Sequence, residues 1–224
     1  MEVLEHMTVE ITAEHVLTAL KMKKMNASLK TLISELIEKA LRVAHPRALF
    51  KVSYIERKNE DTVDIDGILF KSRILRKNLE GAERVFPYVV TAGRELDAVS
   101  PTKDDIMAVF CFDTIKELIL ESAYHHLEAY ILKRFVPGRM AHMNPGSLSD
   151  WPVSQQSALF SLFGDVEALI GVKLTPSFLM NPIKSVSGIY FPTEVDFKSC
   201  MLCTRHPCSN RRAAYNPEMV KKYR

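Results

Sequence analysis

Apolar residues recur at helical spacing in three stretches. Over residues 28–41, Leu29, Leu32, Ile33, Leu36, Ile37, Ala40 and Leu41 fall on one face. His45-Pro46 ends that run, because the residue before a proline leaves the helical region. A shorter helix opens at Thr12, a natural N-cap, and puts Val16, Leu17 and Leu20 on one side. The longest is predicted over residues 104–135, with Asp104 and Asp105 in its first turn, Lys133 and Arg134 in its last, and Pro137-Gly138 as its stop. Strand-like patterns occupy residues 48–55 and 62–65, on either side of a polar turn at 57–61, and recur at 84–91 and 185–191. Pro87 cannot donate to a ladder, so the 84–91 strand is predicted at an edge or a bulge. Further short helices are predicted at 72–79, 154–163 and 165–170. Helices and strands do not alternate regularly, which reads as α+β rather than a doubly wound sheet.

Residues 138–152 break the pattern. They hold the only Trp and three turn-forming residues, and read as a long ordered loop of the kind that carries function.

Composition narrows the class without naming it. With 224 residues, 47% hydrophobic and 25% charged, the chain can bury a sizeable core and is not disordered. No apolar run approaches the ~20 residues of a membrane span, and the first residues carry no basic start or apolar signal segment. The expectation is a soluble, cytoplasmic protein with no membrane partner. Net charge is +3, and its excess gathers in Arg205, Arg211, Arg212, Lys221, Lys222 and Arg224. With few aromatics interleaved, that tail reads as a solvated charge run rather than a nucleic-acid surface.

Phosphate-binding glycine loops, the zinc-protease helix motif and the nucleophile elbow are all absent. His125-His126 lies near Glu121 and Glu128 on the long helix, where a solvated face outweighs a metal or acid–base role. The remaining chemistry is in the tail. Cys200 and Cys203 have the spacing of a bidentate thiolate clip and Cys208 follows five residues later, so zinc with His206, or an iron–sulfur cluster completed by Cys111, is conceivable. Three reduced thiols without metal are the competing reading.

Several stretches taken in order carry a resemblance: residues 139–146, 150–156, Leu159-Phe160, 170–175, and 184–191 with its Ser-Val-Ser-Gly-Ile-Tyr-Phe strand. Together they resemble the C-terminal activation domain of cobalamin-dependent methionine synthase, closely over about the last two fifths of the chain. The resemblance implies a curved α+β domain, a central antiparallel sheet flanked by helices, over residues 1–198. Residues 199–224 would then be an appended Cys-rich basic tail. It also implies binding of S-adenosylmethionine and docking on a separately encoded corrinoid (cobalamin) methionine synthase. The oxidised cob(II)alamin is there reductively methylated to methylcobalamin, with an electron from a donor such as flavodoxin or ferredoxin.

Carried onto this sequence, the resemblance makes Arg139 the contact for the ligand carboxylate, Pro145-Gly146 the turn against the ligand, Tyr190 an aromatic beside it and Glu128 an acidic contact. It places Ser147 towards the corrinoid, where the family has an aromatic, and the stretch from Arg139 to Pro145-Gly146 is about two residues longer than in the family. No general acid or base is implied. The alternative is a metal- or iron–sulfur-binding adaptor that passes an electron through Cys200, Cys203 and Cys208. A third possibility is a docking protein without chemistry, which would bind its partner with or without the ligand.

Overall fold

The computed structural model describes residues 1–22, 26–136, 138–208 and 210–223. Pro137, expected to end the long helix, and Arg224, counted in the basic tail, lie outside the described residues. In chain order the elements are β1 (Glu2–Leu4), α1 (Ala13–Ala19), α2 (Ala27–Val43), β2 (Arg47–Phe50), β3 (Ser53–Lys58), β4 (Thr62–Ile65), β5 (Ile68–Lys71), α3 (Arg73–Asn78) and β6 (Arg84–Thr91). There follow α4 (Ile106–Phe135), β7 (Met140–Met143), α5 (Gln156–Ser161), α6 (Val166–Ile170), β8 (Lys173–Leu174), β9 (Met180–Asn181), β10 (Ser185–Pro192) and α7 (Pro217–Tyr223).

The helices begin where side-chain oxygens can satisfy first-turn N–H groups. Thr12 and His15 cap α1 reciprocally, Asn26 accepts from Leu29 N at the start of α2, Ser72 accepts from Leu75 N, and Asp105 accepts from Ala108 N. Along α4 the buried positions are Ala108, Cys111, Phe112, Ile115, Ile119, Ala123, Tyr124, Leu127 and Ile131, a stripe at steps of three and four. Its first half packs against α1 and α2, and its second half lies on the sheet.

That sheet is antiparallel throughout. β6 lies at its centre, flanked by β2 and β3 on one side and by β10, then β7, on the other, while β4 and β5 extend it beyond β3. The α+β class and the antiparallel sheet flanked by helices are therefore as expected. One face packs under α4; the other carries the larger core with α3, α5 and α6.

Three local expectations need correction. Pro87 is in the central strand, not at an edge or bulge. Its carbonyl accepts from Lys51 N (3.1 Å), so its missing N–H faces the two-residue break between β2 and β3, where no ladder donor is required. The pattern also missed β5. The signal was Asp66-Gly67: both residues have positive φ (49° and 78°), the conformation of a tight two-residue hairpin turn. Residues 140–143, expected within a loop, form β7 on β10.

The tail is not simply solvated. Met219 and Tyr223 of α7 pack on the main core together with Leu202 and Cys203, and Tyr223 Oη donates to Asn78 Oδ1 (2.5 Å). No helix among the described residues is long and apolar enough to cross a membrane.

Candidate functional site

Strand alternation decides which side chains meet under the second half of α4. Phe86, Tyr88 and Val90 of β6 share one face, and the β6–β10 register sets Gly188 opposite Tyr88 and Tyr190 opposite Phe86. The β10–β7 register then sets His142 opposite Tyr190. The result is an aromatic cluster drawn from four elements. Tyr88 stacks on Tyr190 (4.4 Å between centroids), while Tyr124 of α4 lies 5.6 Å from Tyr190, 5.8 Å from Tyr88 and 5.5 Å from His142. Stacked and edge-on arrangements of this kind are the favoured aromatic geometries.

Gly188 makes the close approach possible. A Cβ there would overlap the Met143 carbonyl oxygen and lie 2.6 Å from Asn144 Nδ2 and 2.8 Å from the Tyr88 hydroxyl. Asn144 uses that space to donate to the Tyr88 hydroxyl (2.8 Å) and to Ser187 O (2.7 Å), tying the end of β7 to β6 and β10.

The cluster is uncharged, with charge at its rim. Burial pushes the Tyr124 phenol up to about 12 and raises Tyr88 and Tyr190 as well. His142 goes the other way. Burial, then the Arg212 guanidinium and His125, lower it to about 4, so it stays neutral at pH 7. Glu128 is half-buried at the rim, 3.4 Å from His125 Nδ1, and adds to the rise of Tyr124 and Tyr190. The hydroxyls of Tyr124 and Tyr190 are buried without hydrogen-bond partners. Orphaned groups of this kind cost stability, about 1–3 kcal/mol each, unless a ligand uses them.

The depressed His142 pKa implies a pH dependence. Between the unfolded value near 6.5 and about 4 the unfolded chain binds the extra proton, so this contribution is present above pH 6.5 and lost as the pH falls. From pH 7 to pH 5 the loss is about 2 kcal/mol. Urea unfolding across that range should show it, and His142→Gln should flatten it; an equally steep dependence in the variant would exclude His142 as its source.

The loop after β7 is fastened rather than free. Gly146 N donates to Trp151 O (2.7 Å), and Gly146 takes φ 87° with Val153 against it. Trp151 is fully buried against Phe70, and its Nε1 donates to Gln155 Oε1 (3.3 Å). The Gln155 amide pairs with Lys71 N and O on β5 (2.9 and 2.6 Å), and Asp150 accepts from the Ser72 hydroxyl and Ile74 N at the start of α3.

Of the residues singled out in the sequence, Tyr190 and Glu128 come together here. Pro145 is buried and Gly146 turns the chain just past β7, while Ser147 is exposed beside them. Arg139 is not brought to the cluster. It is exposed at the opposite end of β7, where its carbonyl accepts from Thr193 N, three residues or roughly 10 Å along the strand from His142. Three residues before the Pro-Gly turn, the position facing Tyr190 belongs to His142. Tyr88, Tyr124, His142 and Asn144 were missed because they are scattered in sequence; the strand-like alternation of Met140-Ala141-His142-Met143 was the available signal for one of them.

The three thiols of the tail are placed as follows. Among the described residues no group of three or more His, Cys, Asp or Glu side chains is placed to hold a metal ion. Cys111 is fully buried in the helical core around α4, Cys203 packs on the main core, and Cys200 Sγ accepts from Arg212 N (3.4 Å). The carbonyls of this stretch converge on a guanidinium, that of Arg211. His125 lies between Glu121 and Glu128 on an exposed helix face.

Residues 128–200 match the family described as vitamin B12 dependent methionine synthase, activation domain. The chain resembles that activation domain. The matched stretch includes Glu128, His142, Pro145-Gly146 and Tyr190, and stops before Cys203 and Cys208. Among solved structures, the crystal structure of the MetH reactivation domain bound to AdoHcy superposes with a TM-score of 0.65 at 16% sequence identity, covering 89% of this chain and 81% of that one. That likeness shows a shared fold. No curated protein matches the sequence.

Proposed function

We propose that this protein is a reactivation module that binds S-adenosylmethionine on the Tyr88–Tyr124–Tyr190–His142 face and presents it to the corrinoid of a cobalamin-dependent methionine synthase. The observation that carries this reading is the pair of orphaned hydroxyls on Tyr124 and Tyr190, within the same part of the molecule as the activation-domain match. The solved relative of this fold holds AdoHcy, the demethylated form of the same ligand.

The residues fit such a ligand. The two phenols offer hydrogen bonds, neutral aromatic faces suit a sulfonium, and Glu128 at the rim suits an ammonium group. Gly146 lets backbone approach without a Cβ, and exposed Ser147 lies where the partner's corrinoid would dock. The corrinoid supplies the methyl acceptor: the methyl group leaves the sulfonium as a cation equivalent, one electron comes from a flavodoxin- or ferredoxin-like donor, and S-adenosylhomocysteine remains. The protein's own part is positional, which converts an encounter between two molecules into an effectively intramolecular one. His142, held neutral, does not repel the sulfonium. We place this unit in residues 1–198, with 199–224 appended, and its setting in the cytoplasm.

Reactivation requires that ligand and partner binding be coupled. Affinity for a cob(II)alamin-loaded methionine synthase should rise in the presence of S-adenosylmethionine, and methylcobalamin should form once a one-electron reductant is added. Equal partner affinity with and without the ligand, and no methylcobalamin, would indicate a docking protein without chemistry.

A further inference from the structure

The C-terminal stretch opens with a tight turn that carries two of the chain's four cysteines. Three successive backbone bonds run from residue i to residue i−3: Met201 N to Lys198 O (2.8 Å), Leu202 N to Ser199 O (3.1 Å) and Cys203 N to Cys200 O (3.3 Å). That is 3₁₀ geometry, in which each residue rises about 2.0 Å and side chains three apart lie one above the other. Cys200 and Cys203 therefore share one side of the turn, with their Cα atoms roughly 6 Å apart. A disulfide spans Cα separations of about 4.4–6.8 Å. Both thiols are free and half-buried, whereas Cys111 is sealed in the helical core.

One side chain pins that turn. The Arg211 guanidinium donates through Nη1 to the Cys200 carbonyl (3.0 Å) and through Nη2 to the Cys203 carbonyl (3.3 Å), so both ends of the pair are held by the same planar fork. It also reaches the carbonyls of Ala213 (3.4 Å) and Arg205. Asn216 N on Met201 O (2.9 Å) adds a further tie, and Leu202 and Cys203 rest on the main core. The two sulfurs differ in setting. Cys200 Sγ accepts from Arg212 N (3.4 Å), a donor suited to a sulfur that carries negative charge, while Cys203 packs against apolar side chains. Cys208 follows five residues after Cys203, beyond the three bonds of the turn.

We propose that Cys200 and Cys203 are a thiol–disulfide couple that exchanges with low-molecular-weight disulfides such as glutathione disulfide, with Arg211 holding the turn in which the two sulfurs meet. Cys200 Sγ, deprotonated, attacks one sulfur of the incoming disulfide and expels the other as a thiolate, leaving a mixed disulfide. Cys203 Sγ, giving up its proton, then attacks the Cys200 sulfur and expels the second thiolate. The Cys200–Cys203 bond forms and the S–S bond of the incoming disulfide breaks. Two electrons pass to that disulfide, and the two protons released by the cysteines end on its thiols. The reverse sequence reduces the pair. This site stands independently of the function proposed above.

The test equilibrates the protein anaerobically with glutathione and glutathione disulfide over a series of ratios, alkylates the remaining thiols and reads tryptic peptides by mass. Cleavage after Lys198, Arg205 and Arg211 places Cys200 and Cys203 in one peptide and Cys208 in the next. The expected product is an unalkylated 199–205 peptide lighter by two hydrogens, with Cys208 alkylated. Cys208→Ser should oxidise at the same ratio as wild type, and Cys203→Ser should stop at one glutathione on Cys200. Arg211→Lys, which cannot bridge two carbonyls with a fixed plane, should form the internal disulfide with an equilibrium constant about 10-fold lower. A disulfide joining the two peptides, separate glutathione adducts on Cys200 and Cys203 of the wild type, or no oxidation across the series overturns the couple. A wild-type equilibrium in Arg211→Lys overturns the part given to Arg211.

Discussion

Gly188→Ala is expected to destabilise the protein by about 3 kcal/mol, and to disassemble the Tyr88–Tyr124–Tyr190–His142 face as it does so. The added methyl would overlap the Met143 carbonyl oxygen and crowd Asn144 Nδ2 and the Tyr88 hydroxyl at 2.6 and 2.8 Å. The worst contact is with backbone that is itself held in the β7–β10 ladder, so no rotamer change relieves it. Relief requires β7 to move away from β10. That movement breaks the Asn144 bonds to Tyr88 and Ser187 and carries His142 off Tyr190. Urea unfolding measures the loss, with Gly81→Ala as the control, since a Cβ at Gly81 meets nothing within 4 Å. A Gly188→Ala variant as stable as wild type would show that β7 does not pair with β10 in this register.

Trp151→Ala is expected to cost about 3–5 kcal/mol. Trp151 is fully buried, packs edge-on against Phe70 at 6.2 Å, and anchors the loop: its backbone N–H donates to Leu148 O, while its carbonyl accepts from Gly146 N. Truncation leaves a cavity the size of an indole against Phe70 in the main core and removes a donor from Gln155, which bridges the loop to the edge strand β5. Unfolding midpoints give the energy, and limited proteolysis should cut within 144–152 in the variant first. A loss under about 1 kcal/mol with unchanged proteolysis would mean that the loop holds itself without the indole.

These two positions also show what the sequence could and could not reveal. Helices α2, α3 and α4 were legible because their apolar stripes and caps are local signals, and the Ser-Val-Ser-Gly-Ile-Tyr-Phe strand was legible as β10. The centrality of β6 was not, because Pro87 argues against a central strand unless the break between β2 and β3 is known. Tyr190 and Glu128 were found through resemblance. The rest of their surroundings depends on tertiary structure: Tyr88, Tyr124, His142 and Asn144 are spread over 57 positions of the chain, and it is the β6–β10–β7 pairing, with α4 packed across it, that brings them together. Reading residues 138–152 as loop made Arg139 look close to the Pro-Gly turn, whereas a four-residue strand separates them. The cysteine spacing left its arrangement open for a related reason. It suggested an ion at the centre of the tail, and the structure puts the Arg211 guanidinium there.

The measurement that bears most directly on the ligand face is calorimetric titration of S-adenosylmethionine into wild-type protein, Arg139→Ala and Tyr124→Phe, with the unfolding free energy of each free protein. The expected result is binding at one site in wild type, unchanged in Arg139→Ala. Tyr124→Phe should bind several-fold more weakly while its free form is no less stable than wild type, since the variant removes a buried hydroxyl that has no partner in hydrogen-bonding geometry in the free protein. Binding that collapses in Arg139→Ala and is untouched in Tyr124→Phe, or no binding to wild type at all, would contradict a site on the Tyr124–Tyr190–His142 face.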